Sequence, residues 1–402
     1  MPHPSRTLAG LRPLLTDPDV WLLWLGLQLP SLRVMYKYLP PRLHPLIVIY
    51  LLAAFVVYAG CLHDGWLKRR LQRILSSGWT MVGLVTVALG VSYCVYPIAD
   101  ALKYQMRGSD QDDALILAGN RLRHLVSPYA ERTYHGNPIS TGPGLVLLLL
   151  PLLSFERYFL ITPLVLAAVA YTLYRISGSF YPANLFIGLC LTSPAFWETM
   201  VVGSDLFVIG GLLVLCLALL YAKIEQNRLY LVSGILFLVL AVTSRVVFLY
   251  LVPLVGLFLW KRRPSLGYTV VIFALSGALL IHGIFYFWDP PNYTPLHLIG
   301  KGGVLLPGYV KISLILSALA VGWLTLTKVT DNLVSWLFFL WLGLVTPLAF
   351  SAFGDLIYRR NFHFAGWEGA NYLLVPLAAL VSYVVLKESV APRPRSAHRN
   401  GS

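Results

Sequence analysis

The stretch RGSDQDD at 107–113 puts three carboxylates, Asp110, Asp112 and Asp113, within four positions. They open the long polar stretch 107–144, directly after an apolar run ending near Ile98. An unpaired charge beside hydrocarbon is expensive, so acids kept there ask for a reason. Placed at an apolar boundary and opening a large polar loop, the cluster is a candidate reaction centre. Acids at a helix start also serve as caps. Capping accounts for one or two of the three and leaves at least one for another task.

Other residues with chemical potential recur at apolar boundaries. Glu198 and Asp205 bracket SPAFWETMVVGSD at 193–205. Asp205 reads equally as a cap for the next helix or as a ligand for a hydroxyl or a metal. Arg245 stands between two apolar runs in LVLAVTSRVVFLYLVPL. An arginine so placed pairs with an anion or snorkels, and its planar fork matches a phosphate. WDPPNYTPLHLIGKGG contributes Lys301, and DLIYRRNFHFAGWEGANY contributes Arg359, Arg360, His363, Trp367, Glu368 and Tyr372. Tyr129 lies in a Pro- and Gly-rich part of the long polar segment, a composition that fixes a shaped loop. The nine histidines show no HExxH spacing and the four cysteines no CxxC spacing, so neither a zinc site nor a disulfide framework is expected. No cofactor is expected, and without a convincing acidic triad the sequence leans against a divalent metal.

The elements that must hold these residues are apolar helices. The chain of 402 residues is 57% hydrophobic and only 12% charged, where a soluble domain carries roughly 25% charged residues. That deficit excludes a soluble enzyme and identifies an all-α, polytopic membrane protein. The net charge of +14 reflects basic loops between spans, as the positive-inside rule requires; no aromatic-interleaved basic surface points to nucleic acid. Candidate spans are 19–36, 44–62, 78–98, 158–175, 180–197, 204–222, 229–244, 246–260, 267–287, 309–327, 332–352 and 371–387. The total is about eleven to thirteen transmembrane helices, the first weakened by Pro30 and Arg33. Segment 144–153 is too short to cross and reads as an interfacial or partly inserted helix. Residues 114–125 have helical spacing, with Leu115, Ala118, Leu122 and Leu125 on one face, as in an amphipathic helix lying along a membrane.

Sidedness follows from the clusters Lys68–Arg73 and Lys261–Arg263. Placed in the cytoplasm, they bring both termini to that side and send 99–157, 198–204, 288–308 and 353–370 outside. The acids therefore face the periplasm or cell exterior. No nucleotide sugar is available there and no P-loop or Rossmann glycine motif is present to bind one. An activated substrate on that face should be lipid-linked.

With the residues in this order, the chain resembles the GT-C superfamily of membrane glycosyltransferases, in its polyprenol-phosphate mannosyltransferase-like branch. Asp112-Asp113 followed by ALILAGNRLRHL resembles the acid and amphipathic helix that open the first outer loop of such enzymes. SPYAERTYHGNPISTGPGLVLLLLPLL is similar to their Gly/Pro-Tyr stretch, and SPAFWETMVVGSDLFVIGG to their second outer loop. LVSGILFLVLAVTSRVVFLYLVPLVGLFLWKRR and ANYLLVPLAAL resemble later helices, with Ser244-Arg245 departing from the more usual Lys-Pro. The likeness covers roughly 78–390, as a catalytic transmembrane domain. Residues 1–77 would be additional helices with a basic cytoplasmic loop, and 391–402 a basic tail.

The resemblance implies a transferase in the bacterial inner or plasma membrane that passes a sugar from a polyprenyl-phosphate donor to a lipid or glycan acceptor. Inverting attack needs one general base, with Asp112 the first choice, Asp113 the second and Asp110, otherwise a cap, the third. Arg245, Lys301, Arg359 and Arg360 would meet the departing lipid phosphate. Tyr129, Trp367 and Tyr372 would stack on sugar or line the lipid groove. The competing expectation is a transporter or flippase of a lipid-linked saccharide, which calls for charges in mid-span and an inverted repeat. A non-catalytic scaffold subunit is a third.

Overall fold

The computed structural model describes residues 16–63, 65–105, 109–155, 157–222, 227–296 and 307–390. Lys301 lies outside the described residues. The described residues form helices and turns, with one isolated antiparallel bridge between Arg132 and Pro138.

Helix α1 (Pro18–Tyr38) starts cleanly because Asp17 caps it, accepting from the Asp19 amide at 2.8 Å, and Pro18 fills the first turn. It runs on through Pro30, which is buried inside it. Helices α2 (Pro45–Leu62) and α3 (Trp66–Leu75) follow, then α4 (Gly78–Ala101), capped by Ser77. The polar segment holds α5 (Asp113–Arg123) and α6 (Pro143–Ser154). Beyond it come α7 (Ile161–Ser177), α8 (Phe180–Leu191), α9 (Pro194–Val201) and α10 (Leu206–Tyr221). The remainder is α11 (Arg228–Thr243), α12 (Leu251–Arg262), α13 (Pro264–Trp288), α14 (Gly308–Lys328), α15 (Leu333–Gly354) and α16 (Leu377–Val390).

Among the described residues, seven helices are long and apolar enough to cross a membrane, and eight if α9 and α10, bent by 102°, form one span. The protein is therefore a multi-pass membrane protein. The difference from the eleven to thirteen expected spans lies in short or broken segments and in α1, an unbroken 21-residue helix that is not among the seven. Where 180–197 reads as one span, the chain stops at Thr192 and restarts as α9. The expected spans 229–244 and 246–260 are helices of 16 and 12 residues. Twelve residues of helix reach about 18 Å, well short of a hydrocarbon core of about 30 Å. The 12-residue α6 is likewise too short to cross, as its sequence leads one to expect.

Helix α10 is apolar all round and almost wholly buried, which marks it as the centre of the bundle. It packs against α7, α11, α15 and α16. At the periphery α14 is the opposite case, with 6% of its most apolar window buried against the rest of the protein. The N-terminal α1 packs on α2, α9, α16 and the turns at 364–374, so it is part of the bundle wall. Its first turn is tied by Asp19 to Lys387 at 2.6 Å, and nearby Lys68 holds Glu388 at 2.8 Å. Its other end reaches the acids described next.

Candidate active site

The last turns of α4 present Tyr96 and Asp100 on one face, four residues apart. Asp112 and Asp113 arrive from the start of α5. One carboxylate oxygen from each of Asp100, Asp112 and Asp113 lies within 4.8 Å of the other two. Asp112 is 1% exposed and accepts a hydrogen bond from the Tyr96 hydroxyl at 2.6 Å. It occupies the cap position of α5, yet only its backbone carbonyl serves the helix, through the Leu115 and Ile116 amides. Its carboxylate is not spent on capping. Asp110 is no cap either, since it accepts from the side chains of Thr133 and Asn137 and so ties the loop to itself.

The amphipathic α5 buries Leu115 and Ala118 against the protein, as its period requires, and lies on α6. Leu125 departs from the expected face. The helix stops at Arg123, and Leu125 is 81% exposed with φ of 55°.

Like charges at this spacing repel, and a bound cation is one way to offset that repulsion. An acidic triad, absent as a local pattern, thus exists in space. Its all-oxygen donor set suits a hard divalent ion such as Mg²⁺ or Ca²⁺, and Asp100, Asp112 and Asp113 are the residues that would hold it.

The bend between α9 and α10 closes on Asp112. Gly203 there has φ of 66°, and a β-carbon added to it would stand 2.9 Å from the Asp112 Cβ and 2.8 Å from the Tyr158 ring. Its carbonyl accepts from the Tyr158 hydroxyl at 2.6 Å. Gly203→Ala is therefore expected to cost about 1–3 kcal/mol through the left-handed backbone alone and to push on Asp112. The check is a lowered thermal midpoint; a variant as stable as the wild type would show that the bend relaxes.

Two residues on, Asp205 stands at the cap position of α10, but its carboxylate makes no cap bond. Both its oxygens accept from Arg245 Nη2, at 2.9 and 2.8 Å, and Arg245 Nη1 donates to Ser140 Oγ at 2.8 Å. Capping, one of the two readings of Asp205, is thus not what its side chain does. Arg245 neither snorkels nor stands open, because it is buried in an internal ion pair. The loop is stitched to this point by its backbone as well. The Gly142 amide donates to the Ser244 carbonyl at 2.6 Å, and a β-carbon at Gly142 would meet the Thr243 carbonyl at 1.9 Å.

Glu198 on α9 belongs to a third group. It pairs with Arg33, and Lys37 Nζ stands 3.5 Å away, while the Tyr38 hydroxyl donates to it at 3.2 Å. Arg33 Nη1 also donates to Asn371 Oδ1 at 3.0 Å. Arg33, Glu198 and Asn371 line a narrow cleft with Ser109, Gln111 and Ser204, the last two being the neighbours of Asp112 and Asp205.

Farther along this end, Asp355 receives the Gly369 amide at 2.9 Å and lies 3.9 Å from Arg359 and 3.7 Å from Arg360. Arg360 also pairs with Glu368 at 2.9 Å. Arg359 is half-exposed and the least engaged of these cations. Trp367 is fully buried, its indole donating to the Ala352 carbonyl at 2.6 Å. Tyr129 is buried too, edge-on to Tyr293, and burial pushes its phenol up. Neither ring offers an open face. His363 is exposed on the turn beyond Arg360, and Tyr372 is half-buried.

Sequence reasoning missed Arg33, Lys37, Tyr96 and Asp100. The signal was present for two of them, as Arg33 and Lys37 share one face of an otherwise apolar helix. No known protein family, curated protein or solved structure matches the chain.

Proposed function

We propose that the protein is a membrane glycosyltransferase of GT-C type. It moves a sugar from a polyprenyl-phosphate donor to a lipid or glycan hydroxyl at the periplasmic or extracellular face. The observation that carries this reading is the state of Asp112. Its carboxylate is buried, accepts a tyrosine hydroxyl, and lies at the start of α5 beside those of Asp100 and Asp113.

In the reaction, the acceptor oxygen attacks the anomeric carbon as the bond to the phosphate oxygen breaks. The hydroxyl proton passes to Asp112, which acts as general base, and the polyprenyl phosphate leaves with the electron pair. The charge on that leaving group calls for fixed cations. Arg359, half-exposed and only loosely paired, fits this role better than Arg245, whose guanidinium already holds Asp205, or Arg360, which holds Glu368. A divalent ion in the Asp100, Asp112 and Asp113 cluster would supply further positive charge toward the phosphate.

The test is transfer by the purified chain in proteoliposomes, using radiolabelled polyprenyl-phosphate sugars and a panel of lipid and glycan acceptors, with and without chelator. Labelled product from at least one donor is the expected result. Movement of intact donor across the vesicle, with no product from any pair, would replace this reading with a flippase.

A further inference from the structure

We propose that the half-open cavity between the end of α1 and the turn at 362–365 is a saccharide site. In the transferase reading, on which only this last step rests, it holds the acceptor. The cavity measures about 620 Å³ and its lining includes Tyr36, Lys37, Tyr38, His44, Phe362 and His363. That volume falls in the usual range for a small-molecule pocket, about 300–1,000 Å³.

Its walls are built rather than incidental. Tyr36 is stacked on Phe364 at 5.3 Å and takes the His44 ring edge-on at 4.7 Å. Phe362 sits at φ of 60° directly after Asn361 at 45°. Two consecutive left-handed residues, one of them bulky, cost backbone energy. The turn is nonetheless held, by the Phe362 amide donating to the Leu356 carbonyl at 2.9 Å. The result is a phenyl ring 59% exposed at the cavity, with the Tyr38 ring 54% exposed beside it.

Exposed rings flanked by hydrogen-bonding groups suit a ligand with an apolar C–H face and a polar rim, which describes a pyranose. None of the lining residues is acidic, so an amino sugar meets no counter-charge. Lys37 can donate to a hydroxyl or a sugar carboxylate. Lys37 also joins the cavity to Glu198, 3.5 Å away, which lines the neighbouring cleft with Gln111 and Ser204. One wall of the cavity, residues 36–44, comes from the N-terminal helices, and the other, 362–365, from the turn before α16.

The experiment is saturation-transfer NMR on the full chain in lipid nanodiscs, with maltose, glucuronate and glucosamine as probes. Maltose and glucuronate are expected to receive saturation, and glucosamine several-fold less. Tyr38→Ala and Phe362→Ala should each weaken binding about five- to tenfold, as expected for a lost ring contact. The thermal midpoint of Phe362→Ala should hold, because its ring is largely exposed, while Tyr38→Ala should fall slightly, since its hydroxyl also bonds Glu198. Lys37→Gln should abolish any preference for glucuronate over maltose while maltose still binds. No saturation of any probe, or signals equal in wild type and both ring variants, would overturn the site. If the sugars bind but no donor supports transfer, the cavity stands and the transferase reading falls. If transfer proceeds unchanged in Tyr38→Ala and Phe362→Ala, the acceptor role is the part that fails.

Discussion

If the protein transfers sugar as proposed, Asp112→Asn is expected to lower the rate by about 10²- to 10⁴-fold, the usual contribution of a general base, and to leave the fold intact. Asparagine keeps the shape of the side chain and an oxygen to accept the Tyr96 hydroxyl, but it cannot take a proton. The thermal midpoint should therefore change little, so the loss reads as chemistry. Asp110→Asn is the informative neighbour. Its carboxylate holds Thr133 and Asn137, and both bonds have counterparts in the amide, so a reduction of less than about tenfold is expected, far below that of a lost base. Asp113→Asn and Asp100→Asn separate acid–base work from cation binding. If the cluster holds an ion, both should shift the metal concentration needed for half-maximal rate. Initial rates with labelled donor, measured across a magnesium series, decide between these outcomes. Full transfer by Asp112→Asn would remove the catalytic assignment.

The second large effect concerns stability. Arg245→Met leaves Asp205, 1% exposed, as a buried carboxylate without its partner, and should destabilise the protein by about 3–5 kcal/mol. The double variant Arg245→Met with Asp205→Leu removes both charges and is expected to recover much of that loss, because paired burial often does little better than apolar packing. Thermal unfolding of the four proteins in one detergent gives the cycle. A mild Arg245→Met would mean that water or lipid phosphate already reaches the pair. A double variant as unstable as the single one would assign the cost to packing against Ser140 and the 243–245 turn instead.

How far the sequence could be read depended on how local each signal was. Helix α5 was legible because its apolar positions recur with helical period, and only its end was misjudged, at Leu125. Asp112 and Glu198 were legible because acids at an apolar boundary stand out. Their partners were not. Arg33 meets Glu198 across 165 positions and Arg245 meets Asp205 across 40. Nothing in the flanking residues of either announces the match, so Asp205 was read as a cap or a ligand and Arg33 as a flaw in a span. Asp100 belongs to the same class. It sits one turn past Tyr96 at the end of an apolar helix, and only folding of the polar segment brings Asp112 and Asp113 to it. The span reading ran through a break at Thr192, where apolar character continues while the helix does not, because hydropathy records composition and not direction.

The sparse packing of α14 among the described residues, which leaves 6% of its most apolar window buried, has a consequence for the lipid. A helix of 21 residues extends about 32 Å, close to the thickness of a hydrocarbon core. With so little of its surface packed, its tilt is set by the bilayer more than by its neighbours. Thinner or thicker membranes should therefore reposition α14 while the tightly packed α10 and α16 stay fixed. The protein then has one wall whose geometry is a property of the membrane it inhabits, and its behaviour in short-chain detergent need not match its behaviour in a native-thickness bilayer.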